Sequence, residues 1–397
     1  MGQSLAAGEV VSSVSCDLYQ EVYIFAIIGD TVIKRSSSWI LLLLTVFLLN
    51  TTSHPSVGAD LSKLGDQDKA QLAEYYGLKK RFGSQIWPGF AEAHIPLILY
   101  NERYAFLIGN PHPPSPWAPV ENDSFQGDPY YRKAATGSQA FAVPVGDLWA
   151  GSLDTFGSMN RSMARQMREK IPPEKLTPSV IKMMSFSPAQ HTVALLHEAF
   201  HAYMAMQDQN RFLQAEKMYT LESSYPFKDE EFRVAWDKEG SALAAALREQ
   251  EDQKRFQAIE KFLNVREKRR NEAGFTEKLT TFECELEWLE GLAKYVEMRF
   301  AEHGASMQDE GLSRDYRVVR NRLRADLYFR LRNLGGLEGD LRFYLSGAAQ
   351  AMILDAVKPG WKARLMGQSQ ACLEELLAEA LKKNSRQPSQ SGIPESQ

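Results

Sequence analysis

The chain has 397 residues, of which 44% are hydrophobic and 24% are charged, so it can bury one large core or two of ordinary size. Its 46 basic and 50 acidic side chains leave a formal charge of −4, which argues against binding of nucleic acid or anionic lipid by bulk electrostatics. The three cysteines, Cys16, Cys284 and Cys372, are too few for a disulfide-rich scaffold or a cysteine-rich zinc site.

Residues 1–59 are predicted to be a leader with a signal peptide. An apolar run at 39–49 follows Lys34 and Arg35. It is shorter than the roughly 20 residues that span a bilayer and has the length of a signal-peptide core. Small residues at 57–59 predict cleavage after Ala59 and a secreted or periplasmic protein. The alternative is an uncleaved N-terminal anchor, in which case the membrane would be a partner.

Residues 60–187 are predicted to form an α+β portion. The apolar spacing over 60–83 predicts one or two short helices that end at Gly83. Two apolar runs, 95–100 and 104–108, predict a β-hairpin, and 140–145 predicts a third strand. Four prolines between 111 and 116 exclude regular structure from the loop that contains them.

Residues 188–383 have an almost entirely helical pattern. Helices are predicted at 188–207, 231–250, 252–270, 277–303, 314–333, 340–356 and 369–383. Residues 384–397 are rich in Ser, Gln and Pro and lack apolar periodicity, so they are predicted to be disordered. The predicted fold is therefore α+β and predominantly α-helical, with a small β-sheet in the N-terminal half and a helical C-terminal half.

The sequence H-E-A-F-H at 197–201 predicts a metal site on the first of these helices. Histidines four residues apart lie about 40° apart around a helix and one turn along it, so His197 and His201 can reach one ion. Glu198 lies about 100° further around, where it can accept a proton without binding the metal. Because this helix is apolar almost all round, the three polar side chains would be buried and would need a partner such as a divalent cation.

A catalytic zinc site needs a third protein ligand and one open position. His191 and His303 lie at spacings that do not suit this role, so we expect a distant carboxylate. Several glutamates share a stripe in the segment 283–297: Glu283, Glu287, Glu290 and Glu297. Their spacing is also that of an ordinary surface helix, so periodicity alone leaves the third ligand open.

Two sequences together, H-E-A-F-H at 197–201 and E-G-L-A-K-Y-V-E at 290–297, resemble those of the gluzincin metallopeptidases. The resemblance covers about 20 residues around each motif. It implies a zincin-like fold in which Zn²⁺ is bound by His197, His201 and Glu290, with Glu198 as the general base. It also implies that Gly291 permits the close approach of another helix.

The resemblance has two departures. Thermolysin-like enzymes place an aspartate four residues after the ligand, where this chain has Lys294, so the side chains that orient the histidines are unassigned. The insertion between His201 and Glu290 is also longer than in the best-known gluzincins. Glu287 and Glu239 are the next candidates for the third ligand.

Two further features are weaker indications of function. Tyr344 could donate a hydrogen bond to the oxyanion of a tetrahedral intermediate, as a tyrosine or histidine does in similar enzymes; the alternative is a packed core tyrosine. Seven arginines lie between 314 and 332 and predict a solvated or ion-paired helix face, or else a site for a substrate carboxylate.

These features predict a secreted zinc metallopeptidase that acts on peptides or proteins and has no nucleic-acid partner. Zinc would polarise the scissile carbonyl, and Glu198 would take a proton from water and pass it to the leaving amine. A strand within 140–145 could align an extended substrate by backbone pairing. The alternatives are a scaffold protein with a structural metal and a zinc hydrolase of non-peptide esters or amides. The oligomeric state and a Cys284–Cys372 disulfide are left open.

Overall fold

A computed structural model describes residues 60–137, 140–367 and 370–385. The predicted leader and residues 386–397 of the predicted tail lie outside the described residues. Within those ranges, no helix is long and apolar enough to cross a membrane. Helices dominate the described chain and accompany a small six-stranded sheet in its N-terminal half, which confirms the predicted α+β, predominantly helical class.

The sheet contains β1 (Leu97–Tyr100), β2 (Tyr104–Ile108), β3 (Ala118–Pro119), β4 (Tyr131–Ala134), β5 (Phe141–Val145) and β6 (Leu148–Asp154). Its strand order is β3-β4-β2-β1-β6-β5. β1 and β2 form the predicted antiparallel hairpin, in which Tyr100 pairs with Ala105. The side-chain oxygen of Asn101 accepts hydrogen bonds from the backbone N–H groups of Arg103 and Tyr104, which closes the turn. β5 confirms the third predicted strand and lies at one edge of the sheet.

The chain divides into two compact units whose segments alternate along the sequence. The first unit comprises the described residues up to Ala73 together with Pro96–Phe141 and Ser152–His191. It includes two helices that are absent from the prediction, α2 (Phe156–Lys170) and α3 (Pro178–Met184). α2 buries Met159, Met163 and Met167 at intervals of four residues. That stripe is a helical signal present in the sequence.

The second unit comprises Glu74–Ile95, Ala142–Gly151 and the described residues from Thr192 onward. The division falls within two helices, α1 (Asp66–Ile86) and α4 (Pro188–Gln207), whose later residues belong to the second unit. The other helices of the second unit are α5 (Gln209–Met218), α6 (Glu230–Arg248), α7 (Asp252–Glu272), α8 (Glu277–Leu286), α9 (Leu292–Gly304), α10 (Glu310–Arg330), α11 (Leu341–Val357) and α12 (Leu373–Ser385). The seven predicted helices are confirmed to within a few residues at each end. α5 was not predicted.

Gly83 does not end α1, so that part of the prediction is wrong. A Cβ atom at Gly83 would lie 2.8 Å from the backbone nitrogen of Ala91, so the glycine allows the next stretch of chain to pack against the helix. The helix continues to Ile86 because apolar packing persists: Phe82 and Ile86 are both buried.

The long helix predicted over 277–303 is present, but its middle is widened. A five-residue π-helical segment, Glu287–Gly291, joins α8 to α9 without a break. Such bulges recur at functional sites because they change which side chains face a neighbouring helix.

Cys284 on α8 forms a disulfide with Cys372, which answers the question that the sequence left open.

Candidate metal centre

α4 places His197 and His201 on one buried face. The apolar residues around them, Leu195, Leu196 and Phe200, are fully buried, as the sequence predicts for a helix that is apolar almost all round. Each of the two histidines is 1% exposed. Their Nε2 atoms lie 3.1 Å apart, so both point to the same place.

Glu290 completes this group from the π-helical segment. Its Oε2 lies 3.3 Å from Nε2 of His201 and 3.8 Å from Nε2 of His197. One ligand atom from each of the three residues lies within 4.8 Å of the others. His197, His201 and Glu290 therefore form a buried group that could hold a metal ion. Two imidazoles with one carboxylate match the donor set of several catalytic zinc sites.

The other two candidates for the third ligand, Glu287 and Glu239, bind arginines instead. Glu287 accepts hydrogen bonds from Nη1 and Nη2 of Arg266 at 2.8 and 2.5 Å. Glu239 accepts from Nε of Arg266 at 2.9 Å and from Nε of Arg269 at 2.7 Å. The structure therefore does not support Glu287 or Glu239 as the third ligand, because each already neutralises a buried guanidinium.

The helix around Glu290 is also not a surface helix, so that interpretation of its glutamate stripe is wrong. Glu283 is completely buried and is bound by both Nη atoms of Arg269, at 2.7 and 2.9 Å. Burial alone would raise the pKa of Glu283, but Arg269 and Arg270 together hold it well below its usual value.

Glu297 provides the side chain that orients His197, which the sequence left unassigned. Its Oε2 lies 3.4 Å from Nδ1 of His197, on the side of the ring away from Glu290. Lys294 donates to both oxygens of Glu297, at 2.9 and 3.0 Å. Burial opposes ionisation of Glu297, but Lys294 and His197 lower its pKa to about 2. A carboxylate behind a ligating histidine is the usual way to fix the ring and its tautomer.

The signal for Glu297 was present in the sequence. It lies seven residues after Glu290, two helical turns along the same stripe, whereas the comparison with thermolysin-like enzymes directed attention to the residue four positions on. His191, whose spacing does not suit a ligand, bonds the backbone oxygen of Asp154 through Nε2 at 2.8 Å and has a structural role.

Glu198 is buried beside the group and has no hydrogen-bond partner in the described part of the chain. Its side chain is 1% exposed, and neither carboxylate oxygen is satisfied. Burial raises the pKa of Glu198 to about 8, with Glu290 and Glu297 adding to the shift and His197 opposing it. An unpaired buried carboxyl group is costly, so its position next to three potential ligands fits a site that receives a cation and a polar substrate.

Tyr344 on α11 lies against the same group. Its ring stacks on the imidazole of His197 with centroids 5.9 Å apart and planes 11° apart. Its phenol also interacts with the carboxylate of Glu290. The tyrosine that the sequence singled out thus lies next to the potential ligands.

Two residues outside the predicted set, Tyr219 and Asp340, also belong to the site. The hydroxyl group of Tyr219 lies 2.9 Å from Oε1 of Glu290 and 2.8 Å from Oδ2 of Asp340. A phenol has one proton to donate, so one of the two carboxyl groups must carry another. Burial, with the charge of Glu290, raises the pKa of Asp340 to about 7. Tyr219 follows α5 in a short 3₁₀ turn, and no periodic pattern marks it or Asp340.

Gly291 and Gly347 let α11 cross the π-helical segment at close range. A Cβ atom on Gly291 would lie 2.5 Å from Cα of Gly347, and one on Gly347 would lie 2.6 Å from the carbonyl oxygen of Glu287. The close helix approach implied for Gly291 is therefore present. Because the crowded atoms are backbone, they cannot rotate away as a side chain could.

We expect Gly347→Ala to destabilise the protein by about 1–3 kcal/mol and to weaken metal binding, because it pushes the segment that carries Glu290 away from α11. Urea unfolding and metal titration would measure both effects. Gly77→Ala is the matched control: Gly77 is exposed within α1 and a Cβ atom there meets nothing within 4 Å. The control should stabilise the helix by about 0.5–1 kcal/mol. Equal effects of the two substitutions would contradict the importance of the close crossing.

No family model, curated protein or solved structure matches this chain. The resemblance to gluzincins therefore stays a prediction based on the residues at 197–201 and 290–297. The geometry described above adds that these two sequences, far apart in the chain, meet in one buried group.

Proposed function

We propose that the protein is a zinc-dependent metallopeptidase whose metal is held by His197, His201 and Glu290. The observation that carries this proposal is the buried convergence of these three side chains beside the unpaired carboxyl group of Glu198. Two nitrogen donors and one carboxylate suit zinc, and a general base next to the ligands suits hydrolysis.

When bound, Zn²⁺ would supply a Lewis acid for the scissile carbonyl and would acidify the attacking water. Glu198 takes the proton from that water and passes it to the leaving amine. Glu297 holds the ring of His197 in the tautomer that presents Nε2 to the site. Tyr344, stacked on His197, donates a hydrogen bond to the developing oxyanion. An extended peptide substrate would pair with β5, which lies at one edge of the sheet.

A purely structural metal is the main alternative, and the ligand count argues against it. Structural zinc sites have four protein ligands, whereas catalytic sites have three and leave one position open. The described residues supply three side chains to this group. A site that only binds a metal would also have no use for an unpaired glutamate such as Glu198.

We further propose that the protein acts outside the cytoplasm, after cleavage of the leader behind Ala59. The disulfide between Cys284 and Cys372 supports this location, since disulfides persist in oxidising compartments. An N-terminal membrane anchor would place the same site in the same compartment.

The proposal predicts that the purified mature chain contains about one zinc ion and hydrolyses a mixed peptide library. A chelator should abolish hydrolysis and added zinc should restore it. His201→Ala should lose the metal and the activity together, whereas His94→Ala, at an exposed histidine, should keep both. Hydrolysis that persists in metal-free protein would refute the proposal, and so would a chain that binds no zinc.

A further inference from the structure

We propose that Tyr219 and Asp340 are positioning residues that restrict Glu290 to a single metal-binding oxygen. This inference rests on the proposed metal site and concerns how that site keeps a coordination position open. It assigns a role to two residues that lie outside both sequence motifs.

The two oxygens of Glu290 have different surroundings. Oε2 faces the histidine pair, 3.3 Å from Nε2 of His201. Oε1 accepts a hydrogen bond from the Tyr219 hydroxyl group at 2.9 Å. This hydrogen bond holds Oε1 toward the phenol, so Oε2 is the oxygen that faces the position of an ion.

Asp340 in turn fixes the phenol. It occupies the N-cap position of α11, where an aspartate normally accepts a hydrogen bond from the first turn of its own helix. Among the described residues its side chain makes no such bond and instead lies 2.8 Å from the Tyr219 hydroxyl group. Asp340 is only 2% exposed, so this contact is shielded from competition with water. The carboxyl group of Asp340 therefore holds the Tyr219 hydroxyl group in place and does not cap α11.

The arrangement matters because the number of carboxylate oxygens decides what else can bind. Two histidines and one oxygen make three ligands, which leaves a position for water or for a substrate carbonyl. A second oxygen from Glu290 would add a fifth ligand to these three and the water, and it would crowd the place of the substrate carbonyl. Side chains behind the ligands commonly change metal affinity by about 10–100-fold when they are removed.

The test uses the full mature chain loaded with Co²⁺, whose visible absorption is stronger with four ligands than with five or six. We expect Tyr219→Phe to weaken the visible bands and to lower Co²⁺ affinity by about 10–100-fold. Asp340→Leu should behave in the same way. Asp340→Asn should stay close to the wild type, because its amide can donate to the phenol oxygen.

Tyr225→Phe is the matched control. It also removes a buried tyrosine hydroxyl group, which donates to Glu283 at 2.5 Å. It should lower the unfolding temperature but leave the Co²⁺ spectrum unchanged. If Tyr219→Phe does not fold, the comparison of Asp340→Leu with Asp340→Asn tests the proposal by itself.

The failures of the two proposals can be distinguished. If the wild-type chain binds neither Co²⁺ nor Zn²⁺, the proposed function fails, and this inference fails with it. If the wild type binds Co²⁺ but Tyr219→Phe or Asp340→Leu leaves the spectrum unchanged, the inference is wrong while the metallopeptidase proposal stands. An affinity loss no larger than that of Tyr225→Phe would also overturn the inference, since it would reflect stability alone.

Discussion

Glu198→Gln is expected to lower the rate of peptide hydrolysis by about 10²–10⁴-fold while the chain keeps its metal. Glutamine fills the same volume but cannot accept a proton at its amide. Because the proposed ligand atoms belong to His197, His201 and Glu290, the substitution should leave the metal site intact. Steady-state kcat and the zinc content of the same preparation would measure the two effects independently.

Glu231→Gln provides the control, since this glutamate is exposed on α6 and should change neither quantity. A Glu198→Gln variant with full activity would show that Glu198 is not the base. A variant that loses zinc would instead show that Glu198 is a ligand. The structural-metal alternative predicts a third result, in which the variant keeps its metal and neither form hydrolyses peptides.

The part of the site that the sequence predicts well is the part made by local geometry. His197, Glu198 and His201 lie within five residues of one helix, so helical periodicity fixes their relative directions. Glu290 is different, because its stripe contains four glutamates at nearly equivalent positions. Arg266 and Arg269, on another helix, pair with Glu287 and Glu283, and these pairs form only in the folded chain. That information is tertiary and has no periodic signature.

The same division applies to the fold. The sequence predicts long helices such as α7 and α11 because a helical pattern continues over several turns. β4, with the sequence Tyr-Arg-Lys-Ala, has no alternating apolar pattern, and its place in the sheet comes from pairing with β2. The π-helical segment crosses α11 at Gly291 and Gly347, two glycines that lie far apart in sequence. Tyr219 and Asp340 likewise meet only in the folded chain.

The largest loss of stability is expected from Arg269→Met, at about 3–5 kcal/mol. Arg269 is 1% exposed and binds Glu239 through Nε and Glu283 through both Nη atoms. Its guanidinium also lies 4.0 Å from the ring centre of Trp236. Methionine restores most of the volume but leaves buried carboxylates short of positive charge. The free energy of unfolding in urea would measure the loss.

Lys268→Met on the same helix is the control. Its ion pair with Glu272 joins side chains that are 72% and 64% exposed, so the change should be under about 0.5 kcal/mol. A loss of similar size for Arg269→Met would contradict a role for the buried network. Adding Glu283→Gln to Arg269→Met should recover part of the stability, because it removes a buried carboxylate that has lost one of its two arginines and keeps only Arg270. If the double variant is no more stable than Arg269→Met, the loss comes instead from the contact between Arg269 and Trp236.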